Sequence, residues 1–502
     1  MNAFSILSLI IFIPLLGGLS LFVLRCQPSR YRWISLWVTL TDLVLVISLF
    51  FTDFRPSEGG WLLVEDHAWI ERLGVCYSLG LDGISLVLIL LTAFLSVLCV
   101  VVSWKEINAR LKAFHFFLLA MQTGVLGVFL ATDLFLFYLF WELQVIPMFF
   151  LIGIWGHENR IFATVKFVLF SIAGSLFMLI AIIGLYFLHG SQTGHYTFAL
   201  AELTRTPLAL NVEMWLYAAF LLAFAIKVPM FPVHTWLPDA HTQASTAGSV
   251  ILAGLLLKTG AYALLRFAFP LFPNAAGDSV PLLLAVGLIG LFYAAWIALA
   301  QSDLKRLVAY SSISHMGLIV IGLAVWSTIT LSGALLLMVN HGLTTSALFI
   351  LVGMLSERTG SREFSHFGGL WKTMPVFSGF FLLFGMASVG LPGLNNFVSE
   401  ILILLGTFKE RPAIGMIAFA GIVFVLVYGL RMIQDTIFGE ATNSFGLPDL
   451  TPREVAILVP LALAVVVLGL HPGPVLNLVQ EPVQRLVSEL GRVVIASQIM
   501  HH

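Results

Sequence analysis

LFLFYLFWELQVIPMFFLIGI, residues 134–154, is an apolar run of 21 residues with one acid, Glu142, inside it. At 1.5 Å per residue such a helix is about 30 Å long, the thickness of a bilayer's hydrocarbon core. Glu142 sits about 12 Å along it. Working outward, two later apolar runs hold lysines at similar depth: Lys227 in LLAFAIKVPMFPVHTWLP (221–238) and Lys258 in AGLLLKTGAYALL (253–265). Each ion in lipid costs on the order of 2.5–3.5 kcal/mol on insertion scales. A chain that keeps an acid and two lysines there is expected to move ions or protons.

Of the 502 residues, 59% are hydrophobic and 10% charged. Average soluble domains carry about 25% charged residues, so the composition is that of a polytopic membrane protein. A net charge of −1 gives nucleic acid nothing to bind. Cys26, Cys76 and Cys99 form no CxxC pair and no cluster, which argues against an iron–sulfur centre. There is no glycine-rich nucleotide fingerprint. No cofactor or metal is expected on this chain.

About fourteen spans are read, near 4–25, 33–52, 81–104, 112–131, 134–155, 163–188, 214–244, 247–269, 280–300, 307–325, 328–354, 376–405, 413–436 and 454–472. Residues 474–500 read as an amphipathic tail lying along the membrane surface, with Val479, Val483, Leu486 and Leu490 at helical spacing. Loops after spans one, three, five, nine and eleven are basic: Arg25, Arg30 and Arg32; Lys105, Arg110 and Lys112; Arg160 and Lys166; Lys305 and Arg306; Arg358, Arg362 and Lys372. Positive charge marks the cytoplasmic side, so both termini are expected outside. Lys409 and Arg411 are exceptions, and the loop holding Arg55, Glu58, Glu65 and Asp66 is acidic.

Two spans look broken. Pro229 and Pro232 are expected to free the carbonyls of Ala225 and Val228, and Pro392–Gly393 with Asn395 and Asn396 interrupts MASVGLPGLNNFVSE (386–400). Paired interrupted helices mark the binding site of many transporters. An offset of 173 carries Glu142 to His315, Lys227 to Glu400 and Lys258 to Arg431, although Pro229 and Pro392 differ by 163. The fold expected is an all-α polytopic membrane protein with two inverted five-helix repeats and discontinuous helices 7 and 12. Residues 1–111 would carry helices 1–3, 112–269 the first repeat, 280–436 the second, and 437–502 helix 14 and the tail.

The polar residues inside the spans suit proton transfer. Pro147 frees the carbonyl of Leu143 beside Glu142, where a water can sit. Glu142 is expected to face Lys227, and opening or closing that pair would switch the lysine's hold on its proton. The bland alternative is an ion pair that fastens two helices. Lys227 is too deep to snorkel easily, and a lysine loses its proton more readily than an arginine. Gly254 and Gly260 would let a neighbour approach Lys258. His315 has Ser311, Ser312 and Ser314 nearby, which suits a proton wire, although a lone histidine can equally hydrogen-bond a carbonyl. His234 and His341 are secondary candidates. Glu400, by the second break, is placed to pass protons outward.

FWELQVIPMFFLIGIWG (140–156), KVPMFPVHTWLPDAHTQASTAGSVILAGLLLKTGAY (227–262), QSDLKRLVAYSSISHMG (301–317) and LPGLNNFVSE (391–400) closely resemble the antiporter-like membrane subunits of respiratory complex I, the proton-pumping NADH:quinone oxidoreductase. The resemblance spans about residues 80–440. An acid at 400, where sibling subunits carry lysine, fits the chain M (subunit 4) branch. It implies proton transfer through Glu142, Lys227, Lys258, His315 and Glu400. NADH, FMN, iron–sulfur clusters and quinone would be used in other subunits. The partners implied are the other membrane subunits, sibling antiporter-like chains included, and the lipid of a bacterial inner membrane. The alternatives are a multisubunit cation/proton antiporter and a hydrogenase- or ferredoxin-driven membrane complex.

Overall fold

The computed structural model describes residues 6–24, 27–52, 60–439 and 446–500, with 491–500 described by backbone alone. Arg25, Cys26, Arg55 and Glu58 lie outside the described residues. Six helices precede the first break: α1 (Ile6–Val23), α2 (Pro28–Phe51), α3 (Gly83–Glu106), α4 (Leu111–Leu130), α5 (Leu134–Trp155) and α6 (Arg160–Thr193). The first broken span is α7 (Leu210–Lys227) followed by α8 (Trp236–Gln243). Then come α9 (Thr246–Leu271), α10 (Pro273–Leu299), α11 (Leu304–Ala324) and α12 (Thr328–Thr359). The second broken span is α13 (Pro375–Ser388) with α14 (Asn395–Glu410), and α15 (Pro412–Ile437), α16 (Pro452–Leu470) and α17 (Gly473–Met500) complete the chain.

Among the described residues, 13 helices are long and apolar enough to cross a membrane. The α13–α14 pair makes the remaining crossing, so about fourteen spans stand as expected. α9 and α12 are enclosed along their whole apolar windows and α11 almost so, whereas most of α1, α2, α15 and α16 faces outward. The bundle therefore has an interior that no lipid touches, and the polar residues of α9, α11 and α12 are in it.

Local chemistry sets the helix starts. Asp82 begins α3 with a reciprocal cap to Ser85, and Ser327 does the same for α12 with Thr330. Asp133 accepts from the N–H groups of Phe135 and Leu136, each at 2.9 Å, and from Cys76 N at 3.2 Å. Its carboxylate thus starts α5 and ties it to a hairpin, formed where the sequence shows only an acidic loop. The hairpin pairs β1 (Leu63–Ile70) with β2 (Val75–Leu81) antiparallel, Leu63 opposite Leu81. Glu65 accepts from Leu7 N at 2.8 Å, Ser8 N at 3.1 Å and Ser8 Oγ at 2.6 Å, so it satisfies the orphan donors at the start of α1. α17 packs against α3, α10 and α12, burying Val479, Val483 and Leu490.

The two breaks close alike. Met230 N donates to Ala225 O at 2.8 Å and Leu391 N to Met386 O at 3.1 Å, each a turn one residue wider than α-helical. The expectation that Ala225's carbonyl is free is therefore corrected: the loop turns back and supplies Met230 as its donor. Trp236 Nε1 caps Ile226 O at 2.9 Å. After short turns the chain resumes helical structure, as α8 from Trp236 and as α14 from Asn395.

Candidate functional site

A line of buried polar groups crosses α9, α12, α11 and α14. Residues Leu252–Leu256 of α9 form a π-turn. That wider turn leaves the Ala253 carbonyl to accept from Lys258 Nζ. The same Nζ lies 2.8 Å from His341 Nδ1 on α12. Glycines set this approach: a Cβ on Gly342 would stand 3.1 Å from Gly254 O, and one on Gly254 2.8 Å from Ser346 Oγ. The rings of His341 and His315 are 5.3 Å apart, centre to centre. His315 Nε2 is 3.5 Å from Glu400 Oε1, with both side chains buried. Lys258, His341, His315 and Glu400 thus follow one another across α9, α12, α11 and α14.

His315 also touches two carbonyls, Ser311 O at 2.8 Å from Nδ1 and Ser388 O at 3.1 Å from Nε2. Ser388 is the last residue of α13, so the second break brings its carbonyl to the histidine. Glu400 reaches back under that break, where Gly390, with φ of 75°, leaves room for the carboxylate. Asn340 and Asn395 hold α12 to α14 by exchanging side-chain-to-backbone bonds of 2.7 and 3.1 Å. Thr344 adds a bond to Asn395 Oδ1 at 3.1 Å.

The residues near the first break are arranged differently. Lys227 ends α7, buried, with Nζ 5.1 Å from the centre of the Trp141 ring and no hydrogen-bond partner. Glu142 is next to Trp141 but only partly buried, and its Oε1 has no partner. No ion pair within 4 Å joins Glu142 to Lys227 among the described residues, so the expected contact is open in this structure. The physical reason is the break: α7 stops at Lys227, which points its chain over the indole instead of along the acid. Gly260 of α9 lets this turn pass close, since a Cβ there would be 3.0 Å from Lys227 Cβ. The end of α7 and α9 therefore adjoin at Gly260. Gln144 and Thr259, 3.4 Å apart, link α5 to α9 at the same level. His234 sits between Phe231 and Tyr293, with ring centres 5.7 and 5.2 Å away.

The third match of the 173-residue offset fails. Arg431 is exposed, pairs with Asp435 at 3.1 Å and bonds the Leu299 carbonyl, far in character from the buried Lys258. By the closing turns, Met230 and Leu391 correspond and are 161 residues apart. Reading residues also passed over several polar groups. His241, buried on α8, stacks on Phe349 at 4.5 Å with both ring nitrogens unpartnered. Asn340, Gln144, and Asp42 with Gln122 were missed as well. Depth inside an apolar run, the signal used for Glu142, would have found Asp42 and Gln122.

Outside the spans, burial and then the charges of Lys305 and Arg362 push the His157 imidazole down to about 4. Burial pushes the Asp133 carboxyl up to about 6, against the pull of its three backbone donors.

Comparison with known proteins bears on this arrangement. The profile of the NADH:quinone oxidoreductase/Mrp antiporter transmembrane family matches residues 131–425, more than half of the chain. A NADH-quinone oxidoreductase subunit M of Pseudomonas aeruginosa is 47% identical over 488 residues, covering 94% of this chain and 96% of that protein. The protein of the same name from Escherichia coli K12 is 44% identical over 486 residues, covering 93% and 95%. A chain of respiratory complex I from Thermus thermophilus, solved with NADH bound, superposes with a TM-score of 0.88 at 32% identity, covering 96% of this chain and 99% of that one. Match length, identity and shape agree: this chain belongs to the NADH:quinone oxidoreductase/Mrp antiporter transmembrane family, alongside the M subunits.

Proposed function

We propose that this chain is the proton-translocating membrane subunit of a bacterial NADH:quinone oxidoreductase, a translocase component with its redox chemistry in other subunits. The observation that carries the reading is the buried line Lys258–His341–His315–Glu400, which joins four helices through groups that bind and release protons. NADH, FMN, iron–sulfur clusters and quinone belong to partner subunits in this reading, and this chain holds none of them. The neighbours in the membrane are other complex I subunits, sibling antiporter-like chains among them. The membrane is the bacterial inner membrane, with both termini outside. The repeats are 112–269 and 280–436, the second inverted, flanked by 1–111 and 437–502.

The chemistry follows from who can donate. An ammonium on Lys258 donates to His341 Nδ1, which makes that histidine the acceptor of the lysine's proton. The proton taken at Nδ1 frees the one on Nε2 to leave toward His315. Glu400 stabilises charge arriving on His315 and receives the proton for release outward. Near the first break, Lys227 has no hydrogen-bond partner and Glu142 stands apart from it. Closure of Glu142 onto it would hold the proton, and reopening would drive it toward Lys258. Partial exposure of Glu142 leaves the acid open to a neighbouring subunit, the route by which a redox signal would set the pair. His234, in the turn of the first broken span, serves as a secondary entry group.

The test is Glu142→Gln in the assembled complex in membrane vesicles, with NADH-driven quinone reduction and proton uptake measured together. Loss of both is expected while assembly is kept. Full activity with full pumping would remove the acid from the mechanism. Proton movement driven by a Na⁺ or K⁺ gradient without NADH would favour the antiporter reading.

A further inference from the structure

A second set of buried polar groups lies where α2 meets α4, and the route described above does not use it. Ser35, Thr39 and Asp42 fall at i, i+4 and i+7 on α2, on one helix face. His115 and Gln122 fall at i and i+7 on α4. All five are closed off: Ser35, Thr39 and Asp42 are 0% exposed, His115 1% and Gln122 2%. Gln122 Nε2 donates to Asp42 Oδ2 at 2.5 Å. Thr39 Oγ1 bonds its own helix, at Ser35 O and Leu36 O, each at 3.0 Å. Four other polar atoms along the seam have no protein partner: Ser35 Oγ, His115 Nδ1, Gln122 Oε1 and Asp42 Oδ1. Arg32 Nε, at the start of α2, is unpartnered as well, while Arg32 Nη2 binds Ile107 O at 2.9 Å and Asn108 Oδ1 at 3.0 Å.

Unpartnered buried polar atoms are normally satisfied by bound water, which bridges about three such groups at a time. Here they recur on both sides of one seam over two helical turns, about 10 Å of rise. A plain helix–helix tie needs only the Asp42–Gln122 bond. It does not need the serine and histidine a full two turns nearer the Arg32 end. Intramembrane acids face a bundle interior or water and mark ion pathways. On the far side of α4 the polar line continues. Gln144 Nε2 donates to Gly124 O at 3.4 Å, and Thr259 Oγ1 donates to Gln144 Oε1 at 3.4 Å. Gly124 makes that approach possible, because a Cβ there would stand 3.2 Å from Gln144 Cγ. Thr259 follows Lys258 directly in the chain.

We propose that the α2–α4 seam is a second proton-entry branch. A file of bound water leads from the basic Arg32 end past Ser35 and His115 to Asp42, whose carboxylate accepts a proton at mid-membrane. Asp42 then gives that proton to the next water, on the side of Gln122. Gln122 positions that water through Oε1 and carries no proton itself. Gln144 and Thr259 direct the transfer toward Lys258. Each step moves one proton and leaves a neutral water behind, so no other reactant is needed. The inference rests on the proton-translocating reading.

Asp42→Asn, Asp42→Glu and the double variant Ser35→Val/His115→Leu are tested in the assembled complex, with Glu142→Gln alongside. Quinone reduction and proton uptake are read separately. A partial loss of proton uptake is expected in Asp42→Asn, the main route still running, with recovery in Asp42→Glu, which restores a carboxyl. The double variant keeps the Asp42–Gln122 bond and closes the water file, so it too is expected to lose part of the proton uptake. It therefore decides the matter if Asp42→Asn does not assemble. Ordered water between Ser35, His115 and Asp42 is expected in a high-resolution map of the complex. Full proton uptake in the double variant, with Glu142→Gln defective, would overturn the branch and leave the main route standing. Full uptake in Glu142→Gln as well would remove the underlying reading.

Discussion

Both ring nitrogens of His315 face oxygens that only accept: Ser311 O and Ser388 O are carbonyls, and Glu400 is a carboxyl beyond them. A neutral imidazole has one N–H and would leave one of these contacts as two lone pairs facing each other. When the arriving proton is on the ring, both contacts are satisfied and Glu400 supplies the counter-charge. That arrangement depends on the carboxylate staying under the α13–α14 break, which in turn depends on Gly390. Gly390→Ala places a methyl carbon against Glu400 Oε2 and forces an L-residue into the left-handed region, which costs about 1–2 kcal/mol before the collision is counted. The variant is expected to lower the unfolding temperature of the assembled complex and to lose most proton uptake. Unchanged proton uptake would show that Glu400 acts from another position.

His157 gives a pH dependence at the same scale. Its folded pKa of about 4 lies below the ordinary 6.5, so the folded chain resists protonation that the unfolded chain accepts. The stability it contributes is complete above pH 6.5 and is lost as pH falls from 6.5 toward 4. Thermal unfolding of the complex is expected to shift down over that window, and His157→Gln is expected to flatten part of the slope. An identical slope in the variant would place the acid sensitivity elsewhere.

At the scale of elements, the α9–α12 crossing governs whether the lysine and the histidine meet. Gly254→Val wedges a branched side chain against Leu95 and Ser346, and overpacking of this kind costs about 1–3 kcal/mol. Separation of the helices would lengthen the 2.8 Å Lys258–His341 contact. Assembled complex with reduced proton uptake is expected, and Gly254→Ala should be milder. Equal pumping in both would mean that the contact is not on the route. The breaks were legible because proline removes a donor at a known place. Their closure was not, because Met230 and Leu391 donate across a wide turn that no residue type encodes. The hairpin was missed for a related reason: β1 is largely polar and exposed, and it pairs only with β2, outside the apolar spans.

Over the whole molecule, the membrane class, about fourteen spans, two interrupted helices and the polar residues inside them can be read from the amino acids alone. Each follows from run length, proline chemistry or the cost of charge in lipid, which are properties of a residue and its near neighbours. The same reasoning should have included Asp42 and Gln122, which satisfy the rule as well as Glu142 does. Which of these residues meet is set by the way the helices cross. Lys258 finds His341 because glycines on two helices face each other, Lys227 turns over Trp141 and away from Glu142, and Arg431 ends outside the axis that a sequence offset had given it. Burial cost is set locally, but a partner 83 residues away is chosen by how helices cross, and that geometry comes from packing of the whole bundle.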